Sequence, residues 1–235
     1  MSVSRETLAA LAARSAIPDA TADVLLRLLD ALAAEVDPPT AVREPAEAAR
    51  LHVADSLSGL AVEGLRDAGR IVDLGSGAGF PGLVLAVALP RARIDLIESS
   101  GRKCATIERL AAAAGLANAS VLRVRAEEWA AGEGRGAYDA VTARALASLP
   151  VLAEYAAPLL RPGGVLVAWK GARDPDEERA GALAARELGL EPQTPLRVEP
   201  FAGARNRHLH VLTKVGATSE RFPRRPGMAL KRPLG

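Results

Sequence analysis

Cysteine is almost absent from this sequence of 235 residues, and Cys104 stands alone. One thiol permits no disulfide within the chain, so a cross-linked scaffold is excluded and a reducing compartment suits the protein. Aromatic residues make up only 3% of the chain, which leaves Ala, Leu and Val to build the core. Lysine is scarce as well. Of 30 basic residues only Lys103, Lys170, Lys214 and Lys231 are lysines, a bias that a GC-rich coding sequence accounts for. Long apolar runs are missing too, and none approaches the ~18 residues of a membrane span. The opening segment MSVSRETLAALAARSAIPD carries Arg5 and Glu6 near its front, unlike a secretory leader. No membrane partner, no metal site and a cytoplasmic location are expected. The formal net charge of +2 says little about nucleic acid, which only a local basic patch would indicate.

The length suits one sizeable α/β domain with an appendage. Residues 1–65 read as a helical extension. Leu8, Leu11 and Ala12 recur at helical spacing, as do Leu25, Leu28, Leu29 and Leu32 after the start signal Pro18-Asp19. Pro38-Pro39 then breaks the chain, and Glu44-Pro45 opens a helix carrying Leu51, His52, Asp55, Ser56 and Leu57. Residues 66–215 alternate strand and helix. β-rich runs at Ile71–Leu74, Ile94–Ile97, Val121–Val124, Tyr138–Thr142 and Val165–Trp169 are separated by helical stretches at Leu83–Leu89, Arg102–Ala114 and Leu149–Leu160. That order predicts a mostly parallel sheet covered on both faces. After a polar helix, Asp174–Gly189, the runs Leu190–Glu199 and His208–Val215 read as an antiparallel hairpin at the sheet edge. Residues 216–235 form a basic tail, in which Arg221, Arg224, Arg225, Lys231 and Arg232 face only Glu220. Such a run is either a solvated extension or a phosphate-binding arm, and the second would make binding strongly salt-dependent.

The most informative segment is Asp73-Leu74-Gly75-Ser76-Gly77-Ala78-Gly79-Phe80-Pro81-Gly82. Glycines at a strand end let the backbone turn tightly and let a ligand approach where a Cβ would collide. In an open α/β sheet, ligands bind at the carboxyl ends of the strands, where strand order reverses. The loop by itself fits two cofactors. Gly77 to Gly82 also satisfies the dinucleotide fingerprint, and Glu98, ending the second strand, could hold ribose hydroxyls in either case. Asp73, two residues before the first glycine, and Arg161-Pro162-Gly163-Gly164, leading into the fifth strand, favour the class I (Rossmann-like) methyltransferase pattern and S-adenosylmethionine. Asp73, Gly75, Gly77, Gly79 and Glu98 are therefore candidate cofactor residues.

The acceptor can be narrowed by what is missing. Exocyclic-amine methylation usually uses an Asn/Asp-Pro-Pro-aromatic motif after the fourth strand, where this chain reads Val141-Thr142-Ala143-Arg144-Ala145-Leu146. Asp37-Pro38-Pro39-Thr40 lacks the aromatic and precedes the glycine loop, so it reads as a loop between helices. Methylation at a pyrimidine carbon needs a nucleophilic thiol, and Cys104 reads as a packed one. Acceptors that need no covalent help remain. A guanine N7 is one, since its lone pair needs only positioning and exclusion of water.

Several segments together resemble the RsmG family, formerly GidB. They are His52-Val53-Ala54-Asp55-Ser56-Leu57, the glycine loop, Glu98-Ser99-Ser100-Gly101-Arg102-Lys103, Arg125-Ala126-Glu127, Thr142-Ala143-Arg144-Ala145, Lys170-Gly171 and the tail segment Phe222-Pro223-Arg224-Arg225-Pro226-Gly227. The likeness spans residues 40–215 and the tail. One departure is Pro38-Pro39-Thr40, where the family often has Asn-Leu-Thr. The resemblance implies an S-adenosylmethionine-dependent methyltransferase acting on N7 of a guanine in the 530 loop of 16S ribosomal RNA, with that RNA or the small ribosomal subunit as partner. It implies that Gly75 and Phe80 line the cofactor site and that Ala126 and Glu127 flank the adenine. Arg144 would reach the cofactor or the acceptor base, and Lys103 and Lys170 the RNA or the base. Arg144, Lys170 and His52 are thus the candidate catalytic residues; Lys103, Arg125, Arg224 and Arg225 are the candidate RNA contacts. His52 and Asp55 share a helix face, which equally suits a packing pair, and Glu128 competes with Glu127 as ligand. A small-molecule methyltransferase, or a noncatalytic RNA-binding module retaining the cofactor site, are the alternatives. Deletion of residues 217–235 should spare a small-molecule enzyme.

Overall fold

The computed structural model describes residues 3–42 and 44–235. Met1, Ser2 and Arg43 of the N-terminal extension lie outside the described residues. The chain opens with α1 (Arg5–Arg14) and α2 (Thr21–Ala34). Ser4 caps α1, its side chain accepting from the Thr7 amide. α2 buries Leu25, Leu28, Leu29 and Leu32, the stripe that the sequence spacing marks out. Pro45 occupies the first turn of α3 (Pro45–Ala48), where its missing N–H costs nothing. The expected third helix does not then continue as a regular α-helix. Ala49–Ala54 widen into a π-helical turn before α4 (Asp55–Leu57), and a 3-10 turn (Ser58–Ala61) and α5 (Glu63–Arg66) follow. Such turns within helices are rare and often accompany functional sites.

The α/β part runs β1 (Arg70–Leu74), α6 (Gly82–Ala88), β2 (Arg93–Ile97), α7 (Gly101–Ala114), β3 (Ala119–Leu122), α8 (Ala126–Ala131), β4 (Tyr138–Arg144), α9 (Leu149–Ala156), β5 (Leu160–Lys170), α10 (Pro175–Glu187), β6 (Leu190–Pro192), β7 (Leu196–Arg197), β8 (His208–Lys214) and α11 (Met228–Lys231). The strand order is β3-β2-β1-β4-β5-β8-β6, with β7 also paired to β8. β1 to β5 are parallel, and β8 runs antiparallel to β5. This is the mostly parallel sheet with an antiparallel edge that the sequence predicts. The first arm of the predicted hairpin is broken into β6 and β7 around Pro195, which has no N–H to give a ladder.

Alternate strand residues feed two cores, as the pleat requires. Val165, Val167 and Trp169 of β5 join the cluster under α2, α6 and α7, while Leu166 and Ala168 join the one under α9 and α10. The N-terminal helices are thus not a separate unit. They complete one face of the sheet, and Trp169 fastens them by donating from Nε1 to the Asp55 carbonyl at 2.8 Å. The tail also packs. Phe222 and Ala229 are buried in the second cluster, so the basic segment is neither a solvated extension nor a free arm.

Candidate active site

Strand order reverses between β1 and β4, and their carboxyl ends carry the site. Asp73 and Thr142 are register partners there. The Thr142 hydroxyl donates to Asp73 Oδ1 at 2.7 Å, and the Gly82 amide donates to Oδ2 at 3.3 Å. Asp73 is fully buried. Burial pushes its carboxyl pKa up to about 6, against the opposing hydrogen bonds from Thr142, Ser76 and Gly82. Asp73 therefore ties the loop to the sheet and is not on the cavity wall; its assignment as a cofactor ligand is corrected to a brace. Gly75 has φ +61°, a left-handed conformation that favours glycine, and the loop there packs against Leu146 of the segment after β4.

A cavity of about 500 Å³ opens over this edge, a size that accommodates a nucleoside-bearing cofactor. Its wall includes Gly75, Gly77 and Phe80 from the glycine loop, Glu98 after β2, Lys103 on α7, Arg125, Ala126 and Glu127 after β3, Arg144 at the end of β4, and His52. These ten candidate residues are brought together. Glu98 is buried, and its carboxylate accepts from the Gly77 amide at 3.2 Å and the Ser100 amide at 2.8 Å. A carboxylate has about four lone-pair sites, so two remain for ligand hydroxyls. Lys103 Nζ lies 3.7 Å from Glu98 Oε2. Glu128 serves the start of α8, accepting from the Arg125 amide at 3.2 Å, which leaves Glu127 as the acid on the cavity. The donor and acceptor set fits S-adenosylmethionine: a paired acid for the ribose, a glycine turn for close approach, and Ala126 with Glu127 for the adenine end.

His52 and Arg144 form the opposite side. The His52 ring stacks on Phe80 with centroids 4.3 Å apart and planes 3° from parallel. Arg144 Nη1 donates to Asp55 Oδ2 at 2.9 Å and to the Leu51 carbonyl at 3.0 Å, and Nη2 lies 3.3 Å from His52 Nδ1. Arginine can only donate, so Nδ1 must be the lone-pair nitrogen and Nε2 must carry the proton. Nε2 is 3.1 Å from Thr40 Oγ1, which also accepts from the Val42 amide at 3.1 Å. The π-helical turn thus places the Leu51 carbonyl, His52 and Asp55 around one guanidinium.

Burial, and then the neighbouring Arg144, lower the His52 pKa to about 4. Between about 4 and 6.5 the unfolded chain holds a proton that the folded chain does not. The His52 contribution is therefore complete above pH 6.5 and is lost as pH falls toward 4. Urea unfolding at pH 7 and pH 4.5 should show a smaller acid loss for His52→Gln than for the parent protein. Asp73 titrates with the opposite sign in both proteins and cancels from the difference. Equal losses would remove His52 from the acid response.

Four further sequence assignments fall outside the cavity. Lys170 Nζ donates to the Ala147 carbonyl at 3.1 Å and pairs with Glu177 at 2.5 Å, which joins β5 to α10 and keeps it off the cavity wall. Gly79 turns the loop at φ +93° and packs against Leu83, and it is not part of the wall. Arg224 lies along Glu154, with Nε and Nη2 at 2.8 and 2.5 Å from the two carboxylate oxygens, so it is no free phosphate ligand. Arg225 is exposed and away from the cavity. Cys104 is a packed thiol as expected, with Sγ 3.2 Å from the Glu98 carbonyl. Sequence reasoning missed Pro39, Thr40, Leu146, Tyr155 and Leu230, all on the wall. Thr40 was the one accessible to it, as the threonine retained where the family often has Asn-Leu-Thr. Leu230 carried no local signal at all.

Comparison with known proteins agrees with this geometry. A family model described as GidB, rRNA small subunit methyltransferase G, matches residues 28–209. A ribosomal RNA small subunit methyltransferase G of Rubrobacter xylanophilus is 45% identical over 196 residues, covering 82% of this chain and 75% of that one. The protein of the same name from Deinococcus radiodurans is 41% identical over 199 residues, covering 83% and 78%. Among solved structures, a SAM-dependent methyltransferase from Aquifex aeolicus superposes with TM-score 0.56 at 18% identity, covering 71% of this chain and 93% of that one. Aeropyrum pernix fibrillarin, solved with bound S-adenosyl-L-methionine, superposes with TM-score 0.53 at 20% identity, covering 68% and 72%. At such identities these two establish the fold alone. The match across residues 28–209 and the relatives above 40% identity establish more: the chain belongs to the GidB family, rRNA small subunit methyltransferase G.

Proposed function

We propose that this protein transfers the methyl group of S-adenosylmethionine to N7 of a guanine in the 530 loop of 16S ribosomal RNA. The coarser statement, S-adenosylmethionine-dependent methylation of small-subunit ribosomal RNA, follows from the family. The atom and the loop are our reading, as is action in the cytoplasm, where small subunits are assembled. The observation that carries it is Arg144, held at the cavity by Leu51, His52 and Asp55. No thiol lines the cavity among the described residues, and no Asn/Asp-Pro-Pro-aromatic segment follows β4. An acceptor with its own lone pair fits that inventory.

When bound, S-adenosylmethionine supplies an electrophilic methyl on a sulfonium. The chain's own residues position and shield. Glu98 would offer acceptors to the ribose hydroxyls, and Ala126 with Glu127 would bound the adenine end. His52 stays neutral at physiological pH and, stacked on Phe80, adds no positive charge beside a sulfonium. Arg144 offers donors to a purine edge, whose O6 accepts beside N7.

Small subunits from cells lacking this enzyme should take up label from radiolabelled S-adenosylmethionine, and borohydride–aniline cleavage should map one N7-methylguanine in the 530 loop. Label at another atom or loop, or in protein with unlabelled RNA, would overturn the proposal. Deleting residues 217–235 no longer separates an RNA enzyme from a small-molecule one, because Leu230 of that segment lines the cavity itself.

A further inference from the structure

The tail passes the cavity at Leu230 and then runs on to α10, where Gly235 lies beside Ala180. Its approach is fixed at three points. Arg135 Nη1 donates to the Phe222 carbonyl at 2.9 Å, Arg224 grips Glu154, and Arg224 Nη2 also donates to the Arg232 carbonyl at 2.8 Å. Between the last two points the Gly227 amide donates to Glu127 Oε1 at 2.8 Å, on the acid that bounds the cavity. One turn further, α11 packs on α9, the helix that carries Tyr155. Leu230 lines the cavity and is nevertheless 59% exposed.

We propose that the C-terminal segment is a wall of the cofactor site, with Leu230 covering the nucleoside end of bound S-adenosylmethionine. The inference rests on S-adenosylmethionine being the ligand. It assigns Leu230 and Gly227 of the tail to the cofactor, whatever the exposed Arg225, Lys231 and Arg232 contact. The physical argument is the exposed leucine. A large apolar side chain left in water gains when a ligand face covers it. Two arginines of the tail are used internally, Arg224 on Glu154 and Arg221 on Glu187, while Arg225, Lys231 and Arg232 are exposed. The Gly227–Glu127 hydrogen bond also sets the carboxylate of Glu127, so the tail acts on the ligand both by contact and through that acid.

The test is calorimetric titration of the full chain with S-adenosylmethionine, alongside filter binding of a 16S RNA fragment at fixed salt without cofactor. Leu230→Ser should raise the cofactor Kd about five- to tenfold, the loss expected for one partly buried leucine, and leave the RNA Kd within about twofold. Leu230→Met should restore cofactor binding to within about twofold, since volume and apolarity are kept. Protection of the Gly227 amide from hydrogen exchange should rise on adding S-adenosylmethionine. An unchanged cofactor Kd in Leu230→Ser, or a loss confined to RNA, would overturn the inference. Failure of the parent protein to bind S-adenosylmethionine would overturn the cofactor reading itself.

Discussion

Replacing Arg144 by alanine is expected to lower kcat/KM for methyl transfer by about 100- to 1000-fold, the scale of losing a preorganised donor. The cofactor Kd should rise by less than about tenfold, because in the proposed binding mode the nucleoside end meets Glu98, Ala126 and Glu127 and not the guanidinium. Two controls make the measurement specific. Arg144→Lys keeps the charge but loses the fork that reaches Asp55, Leu51 and His52 together, so it should recover only part of the rate. Asp55→Asn should also slow transfer, since Arg144 then loses its anionic anchor. Arg144 and Asp55 side chains are 15% and 8% exposed, so removing the arginine leaves a buried carboxylate with only Arg207, 3.7 Å from Oδ1, as a cationic partner. Thermal melts must therefore accompany the kinetics. Equal loss of transfer and of cofactor affinity in Arg144→Ala would show that Arg144 serves only the cofactor.

Arg224→Ala is expected to destabilise the protein by about 3 kcal/mol, lowering Tm by about 6–12 °C. Glu154 is 1% exposed and meets Arg224 through both carboxylate oxygens. Without the guanidinium its charge is stranded in the second core, beside Phe222 and Ala229 of the tail. The double variant Arg224→Met with Glu154→Leu replaces the pair by apolar groups and should recover most of the loss. If Arg224 instead served RNA phosphate, Arg224→Ala would weaken RNA binding and flatten its salt dependence with Tm intact. Urea unfolding and a salt titration of RNA binding distinguish the two.

Much of the fold was legible in the chain because local signals agreed with the tertiary result. The leucine stripe of α2, the five short β-rich runs and the glycine loop after β1 each have a periodicity or turn chemistry that holds regardless of neighbours. The cavity was legible wherever a family motif sits on a strand end, as with Gly75, Glu98, Ala126, Glu127 and Arg144. Lys170 misled for the same reason. It ends a strand, but its side chain is taken by Glu177 of the next helix, a partner seven residues on that no pattern announces.

The sequence by itself determined an α/β chain with a glycine loop suited to S-adenosylmethionine and an acid at the end of the second strand. Only the tertiary structure decided which charges are free. Asp73 and Lys170 were drawn inward, where a carboxylate or ammonium needs partners. Arg224 was spent on Glu154, seventy residues away in the chain. The tail was turned from a basic extension into part of the cavity, since pairing across that distance depends on packing and leaves no trace in local composition.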